Sequence, residues 1–111
     1  METRLDLPIA KDLDAMVARI TRLLPDAKVY LFGSFANGTQ REDSDIDLCV
    51  VVPEFKVRQM ETIVSIRKAI RGATKKPVDV LAFRSDDFED RAKLRATIQY
   101  TIVNKGVLLN G

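Results

Sequence analysis

The sequence contains no histidine. That absence removes Ser-His-Asp and Cys-His catalysis in their common forms, and most zinc sites with them. A single cysteine, Cys49, cannot form an intramolecular disulfide, which fits a reducing compartment. No apolar run approaches the ~20 residues needed to span a bilayer. The opening residues, Met1-Glu2-Thr3-Arg4-Leu5-Asp6, are charged and lack the apolar stretch of a secretory signal. A dominant charge is missing as well: 18 Lys+Arg stand against 16 Asp+Glu, a formal net charge of +2. Nucleic acid as a direct ligand calls for a concentrated basic face, and this near balance argues against it. The absences together point to a soluble, cytoplasmic chain.

What is present suits one compact core. With 111 residues, 46% of them hydrophobic, the length and composition predict a single domain over 1–111. Leu13, Met16, Val17, Ile20 and Leu24 recur at helical spacing and predict an amphipathic helix over about 9–24, stopped by Pro25. Val29-Tyr30-Leu31-Phe32 reads as a strand, broken by Gly33-Ser34, where Ser34 is expected to cap a short helix closed by Gly38. A second strand runs from Asp45 to Val52. Val57, Met60, Ile63, Val64 and Ile70 mark a helix over about 56–71, and Val78 to Phe83 forms a third strand. Ser85-Asp86-Asp87 opens one last helix carrying Phe88, Leu94, Ile98 and Ile102 to Gly106, with a short edge strand expected at Val107-Leu108-Leu109. The order αβαβαβα predicts an α/β (α+β) fold, a small mixed sheet with helices packed on one face.

The chemistry concentrates between Val29 and Val52. A strand entering Gly33-Ser34 at a helix start suits an anion: glycine permits close approach and the first turn offers N–H donors. Taken by itself, Gly-Ser before a helix is ordinary turn chemistry. Asp45 and Asp47 shift the balance, because side chains two apart on a strand leave the sheet on the same side. Aspartate is disfavoured in strands, yet Asp79 recurs in the next one. Each has a bland alternative: Asp45 as a solvated strand start, Asp79 as a partner of Lys75, Lys76 or Arg84. Three carboxylates converging on one sheet surface would make a hard-oxygen site for Mg²⁺ or Mn²⁺. Lys75, Lys76 and Arg41 could reach a phosphate but read as surface charges, as do Arg67 and Arg71. Cys49 reads as a small buried thiol, and Tyr30 and Phe32 as core.

The run Gly33-Ser34-x-Ala36-x-Gly38, then Ser44-Asp45-x-Asp47-Leu48, then the isolated Asp79, resembles the DNA polymerase β-type nucleotidyltransferase superfamily. By size it is similar to the minimal nucleotidyltransferase branch, many of whose members act as antitoxins beside HEPN-domain proteins. The resemblance covers about Val29 to Phe83. It implies that Gly33 and Ser34 hold the β,γ-phosphates of a nucleoside triphosphate, with ATP as donor. It implies further that Asp45 and Asp47 ligate two metal ions, and that Asp79 completes the one carrying the acceptor hydroxyl and accepts its proton. Phe35 departs from the family, which often has a basic or small residue there.

The resemblance implies an adenylyltransferase that modifies a HEPN-type partner, with a tyrosine as the expected acceptor. With the chain nearly consumed by the catalytic fold, the acceptor is expected to be small, or a protein, or presented by a partner. Two other functions stand beside it: a non-catalytic antitoxin acting by occlusion, and an enzyme for a small hydroxylated molecule such as an aminoglycoside.

Overall fold

The structure, a computed structural model, describes residues 9–111. The charged opening Met1–Asp6 lies outside them. Helix α1 (Ala10–Leu23) buries Leu13, Met16 and Ile20, three positions of one helical stripe. Arg19 on its flank donates to the carbonyl of Arg71 at 2.8 Å, tying α1 to the end of α3 (Gln59–Ile70).

Four strands form the sheet: β1 (Lys28–Phe32), β2 (Ile46–Val52), β3 (Val78–Arg84) and β4 (Val107–Leu108), in the order β3-β2-β1-β4. β1 runs antiparallel to β2 and β4, whereas β2 and β3 are parallel and joined by the α3 crossover. The mixed α/β class is as expected. β2 occupies the interior of the sheet, and six of its seven residues are buried, all but Asp47. The chain end is fastened to the start of β1: the Asn110 side chain accepts from the Val29 N–H at 2.9 Å and donates to the Ala27 carbonyl at 2.8 Å.

Alternation along the strands divides the core in two. Val29, Leu31, Leu48, Val50, Val80 and Ala82 face α1 and α3 and form the larger cluster. Each valine or leucine among them, fully buried, contributes about 1.5–3 kcal/mol. The opposite face, where Cys49 and Val51 point, is covered as well, by Phe88 of α4 (Ser85–Ala92) and Ile102 of α5 (Ile98–Lys105). The Phe88 ring lies 5.6 Å from Tyr30 and 6.0 Å from Phe83, which makes this small core largely aromatic. Helices therefore pack on both faces rather than on one.

Three local expectations change. The single C-terminal helix is two, separated at Lys93–Thr97, with Leu94 and Ile98 exposed rather than buried. Thr97 makes the break: its hydroxyl donates to the carbonyls of Arg91 and Leu94 and accepts the Tyr100 N–H at 3.1 Å, capping α5. α3 starts at Gln59, after Val57, and Thr62, Ile66 and Ile70 face the core with Ile63 packed beside them, so of the apolar positions read in the sequence Ile63 and Ile70 turn inward while Met60 and Val64 are exposed. Ser34 does not cap α2 (Ser34–Asn37); Gly33 is the capping residue, no side chain caps it, and its carbonyl accepts from Ala36 and Asn37.

Candidate active site

The site grows from the edge of the sheet where β1 ends and β2 and β3 begin. The Ser44 hydroxyl accepts the Arg41 N–H at 2.7 Å while the Ser44 N–H donates to the Arg41 carbonyl, closing a turn that delivers Asp45. Asp45 itself sits just before β2, exposed to solvent. The Ile46 N–H donates to the Pro77 carbonyl at 2.9 Å and starts the parallel pairing. From there the register brings Asp47 directly beside Asp79, with Phe32 on the other side of Asp47.

The two carboxyl groups meet on the sheet face that also carries Cys49. Partial burial, then the charges of Asp79 and Asp45, push the Asp47 carboxyl up from its ordinary value, and its side-chain contact with Asp79 pushes the same way. Asp47 and Asp79 are thus brought together, with Asp45 at their edge acting through its charge. Among the described residues no three such side chains already close into a metal cage. The excess negative charge is what a hard divalent cation would relieve, and the donor set is all oxygen, so these residues fit Mg²⁺ or Mn²⁺.

Gly33 locks onto this pair. Its φ of 75° and ψ of −153° lie where side-chain-bearing residues are strained. A Cβ there would also strike the Asp47 carboxylate. Glycine is required twice over, and the turn that opens α2 is held against the carboxylates. Phe35, the departure from the family pattern, is 3% exposed and belongs to the larger core. Lys76 sits over its ring at 5.7 Å and donates to the Glu42 carbonyl at 2.8 Å, bracing the Gly38–Ser44 loop rather than reaching toward a phosphate.

The sequence does not single out Arg67, one of many helix charges. It reaches β3 from α3, donating to the Val78 carbonyl at 3.1 Å and standing 4.0 Å from the Asp79 carboxylate, with both side chains half-exposed or more. Arg84, offered as an alternative partner of Asp79, pairs with Asp86 and Asp87 instead. Cys49 is fully buried and its thiol is pushed up to about 12, so it is not a nucleophile. Tyr30 and Phe32 pack on the aromatic cluster, as expected of core residues.

Beside Gly33 a cleft of about 390 Å³ opens between the β1–α2 turn and α5. Among the described residues no helix is long and apolar enough to cross a membrane.

Comparison with known proteins agrees with this geometry. No curated protein sequence matches the chain. Among solved structures, a toxin–antitoxin complex with AMP-PNP is 24% identical, with 86% of this chain and 71% of that chain covered and a TM-score of 0.54. A nucleotidyltransferase-type structure is 20% identical over 88% of this chain and 97% of that one, with a TM-score of 0.60. Another, from Sulfolobus solfataricus, is 21% identical over 90% and 83%, with a TM-score of 0.55. These likenesses show the fold. The nucleotidyltransferase domain family matches residues 13–108, which span the Gly33 turn, all three aspartates and both faces of the sheet, and the chain belongs to that family of enzymes.

Proposed function

We propose that the chain is a metal-dependent adenylyltransferase of the minimal nucleotidyltransferase type that transfers AMP from ATP to a hydroxyl of a partner HEPN-domain toxin, as the antitoxin of the pair. The observation that carries this reading is the in-register Asp47–Asp79 pair with Gly33 pressed against it. It joins an anion-binding turn to a cation-binding pair, which is what a metal-bound triphosphate requires. Support for the donor and partner comes from the similar toxin–antitoxin structure with AMP-PNP. A mutant of the MntA-HpeT toxin–antitoxin pair, 22% identical with a TM-score of 0.53, has two aspartates two positions apart changed to glutamate, the spacing of Asp45 and Asp47.

In this reading Gly33 and Ser34 hold the β,γ-phosphates, and Asp45, Asp47 and Asp79 hold Mg²⁺. The metal, when bound, supplies Lewis-acid polarisation and neutralises charge on the triphosphate. Asp79, the more exposed of the pair, accepts the proton of the acceptor hydroxyl as its oxygen forms a bond to the α-phosphorus. The bond from that phosphorus to the bridging oxygen breaks and pyrophosphate leaves.

The test combines the chain with its partner toxin, ATP and Mg²⁺, and weighs the toxin by mass spectrometry. One added AMP, absent with chelator and with Asp45→Asn/Asp47→Asn, is the expected result. An unmodified toxin, still neutralised by the Asp45→Asn/Asp47→Asn chain, would establish inhibition by occlusion. Met60 and Val64, exposed on α3, and Val57 just before it give that second reading its surface. Pyrophosphate release with a small hydroxylated acceptor such as an aminoglycoside, and not with the toxin, would move the acceptor to that class.

A further inference from the structure

The cleft beside Gly33 has a character opposite to that of the carboxylates. Phe32 and Gly33 form one wall, and Ile98, Thr101, Arg95 and Lys105 contribute from α5 and the connection before it; no acidic residue lines it. Arg95 and Lys105 are both exposed. Among the described residues the ion pairs engage Arg67, Arg84 and Lys93, and neither Arg95 nor Lys105 has a partner. Two free cations thus face a cleft that meets the aspartate pair at Gly33.

The backbone fixes this arrangement. Thr97 ends the turn that follows α4 and caps α5, which sets Arg95 at one side of the cleft. At the other side Gly106 packs so tightly that a Cβ would stand 2.9 Å from the Leu31 carbonyl oxygen, holding Lys105 close to β1.

We propose that Arg95 and Lys105 bind the polyphosphate of the incoming nucleotide, the part that leaves as pyrophosphate. This rests on the reading of Gly33 as the phosphate turn. A metal-bound triphosphate offers positive charge where it meets carboxylates and negative oxygens elsewhere; the aspartates take the first side and the cleft takes the second. The guanidinium spans two phosphate oxygens, and the ammonium adds a point charge.

The experiment is calorimetric titration of the whole chain, with Mg²⁺ and without any acceptor, using ATP, ADP, AMP and inorganic tripolyphosphate. Binding is expected to strengthen from AMP to ADP to ATP. Arg95→Ala and Lys105→Ala should each weaken ATP and tripolyphosphate about tenfold, and the double variant about a hundredfold, while AMP changes little. Arg95→Lys/Lys105→Arg should recover most of the loss, and thermal melts show whether each variant is folded. A folded double variant that still prefers ATP to AMP overturns the assignment, as does one that loses ATP and AMP equally. If the unaltered chain binds ATP and Asp47→Asn weakens it, such a result removes the cleft assignment and leaves the proposed site standing. If the unaltered chain binds neither ATP nor tripolyphosphate, both fall.

Discussion

Replacing Gly33 with alanine separates a structural glycine from one that serves the site. At φ 75° and ψ −153° an alanine backbone costs about 1–3 kcal/mol. For a chain of this size that is a fall in melting temperature of about 4–12 °C. The added methyl would also occupy the place of an Asp47 carboxylate oxygen, so the carboxylate has to swing away or β1 has to part from β2. A displacement of about 1 Å at reacting groups costs roughly a hundredfold in rate. Gly38 provides the control. It has the same φ of 75°, but its ψ is 18° and an added methyl would meet nothing within 4 Å. Alanine there costs about 1–2 kcal/mol of strain and touches no functional group. Melts followed by circular dichroism, with AMP transfer measured well below the melting range, read the two effects separately. Gly33→Ala should lose both stability and about a hundredfold in activity, whereas Gly38→Ala should lose stability and keep activity. Equal activities for the two variants would refute the claim that the bare Cα at position 33 makes room for the carboxylate.

Neutralising one member of the carboxylate pair, by Asp47→Asn or Asp79→Asn, should abolish at least about 99% of activity yet leave the melting temperature in chelator unchanged or higher, because the pair repels itself without a cation; a marked loss of stability would show the pair to be structural. Cys49 gives a pH signature. Its thiol is raised from 9.0 to about 12 on folding, so the folded state favours the neutral form; that stability is complete below pH 9 and declines by about 1.4 kcal/mol per pH unit as pH rises toward 12. Urea unfolding of the unaltered chain and Cys49→Ser between pH 8 and about 10.5 should therefore converge, and parallel curves would refute it. Thr97→Ala removes the α5 cap and two further hydroxyl bonds, and should cost about 1 kcal/mol in urea unfolding while loosening the nearby cleft.

Much of this molecule is readable from periodicity. The α1 stripe and the three longer strands stand close to where apolar spacing places them, because each has one stripe or face to bury. α3 misleads because it carries apolar residues on two sides: Ile66 and Ile70 pack inward, while Met60 and Val64 are exposed. The break before Thr97 contains no glycine or proline to announce it and depends on a hydroxyl finding carbonyls of the preceding turn. Asp47 and Asp79 are recognisable as misplaced carboxylates, but their side-by-side register follows from β2 and β3 being parallel. The meeting of Arg67 with Asp79 leaves no mark in the sequence, since it is set by how α3 lies along β3.

That lie of α3 has a consequence for how the sheet behaves among other chains. β3 is an outer strand, a flank on which a foreign strand could pair, and the Val78 and Ala82 carbonyls along it accept side-chain donors. Arg67 occupies the first, and the Gln59 side chain donates to the second at 2.6 Å. One helix thereby keeps two acceptors of the border strand engaged, so a catalytic surface built on strand ends can stay open to substrates without offering its flank as a template for aggregation.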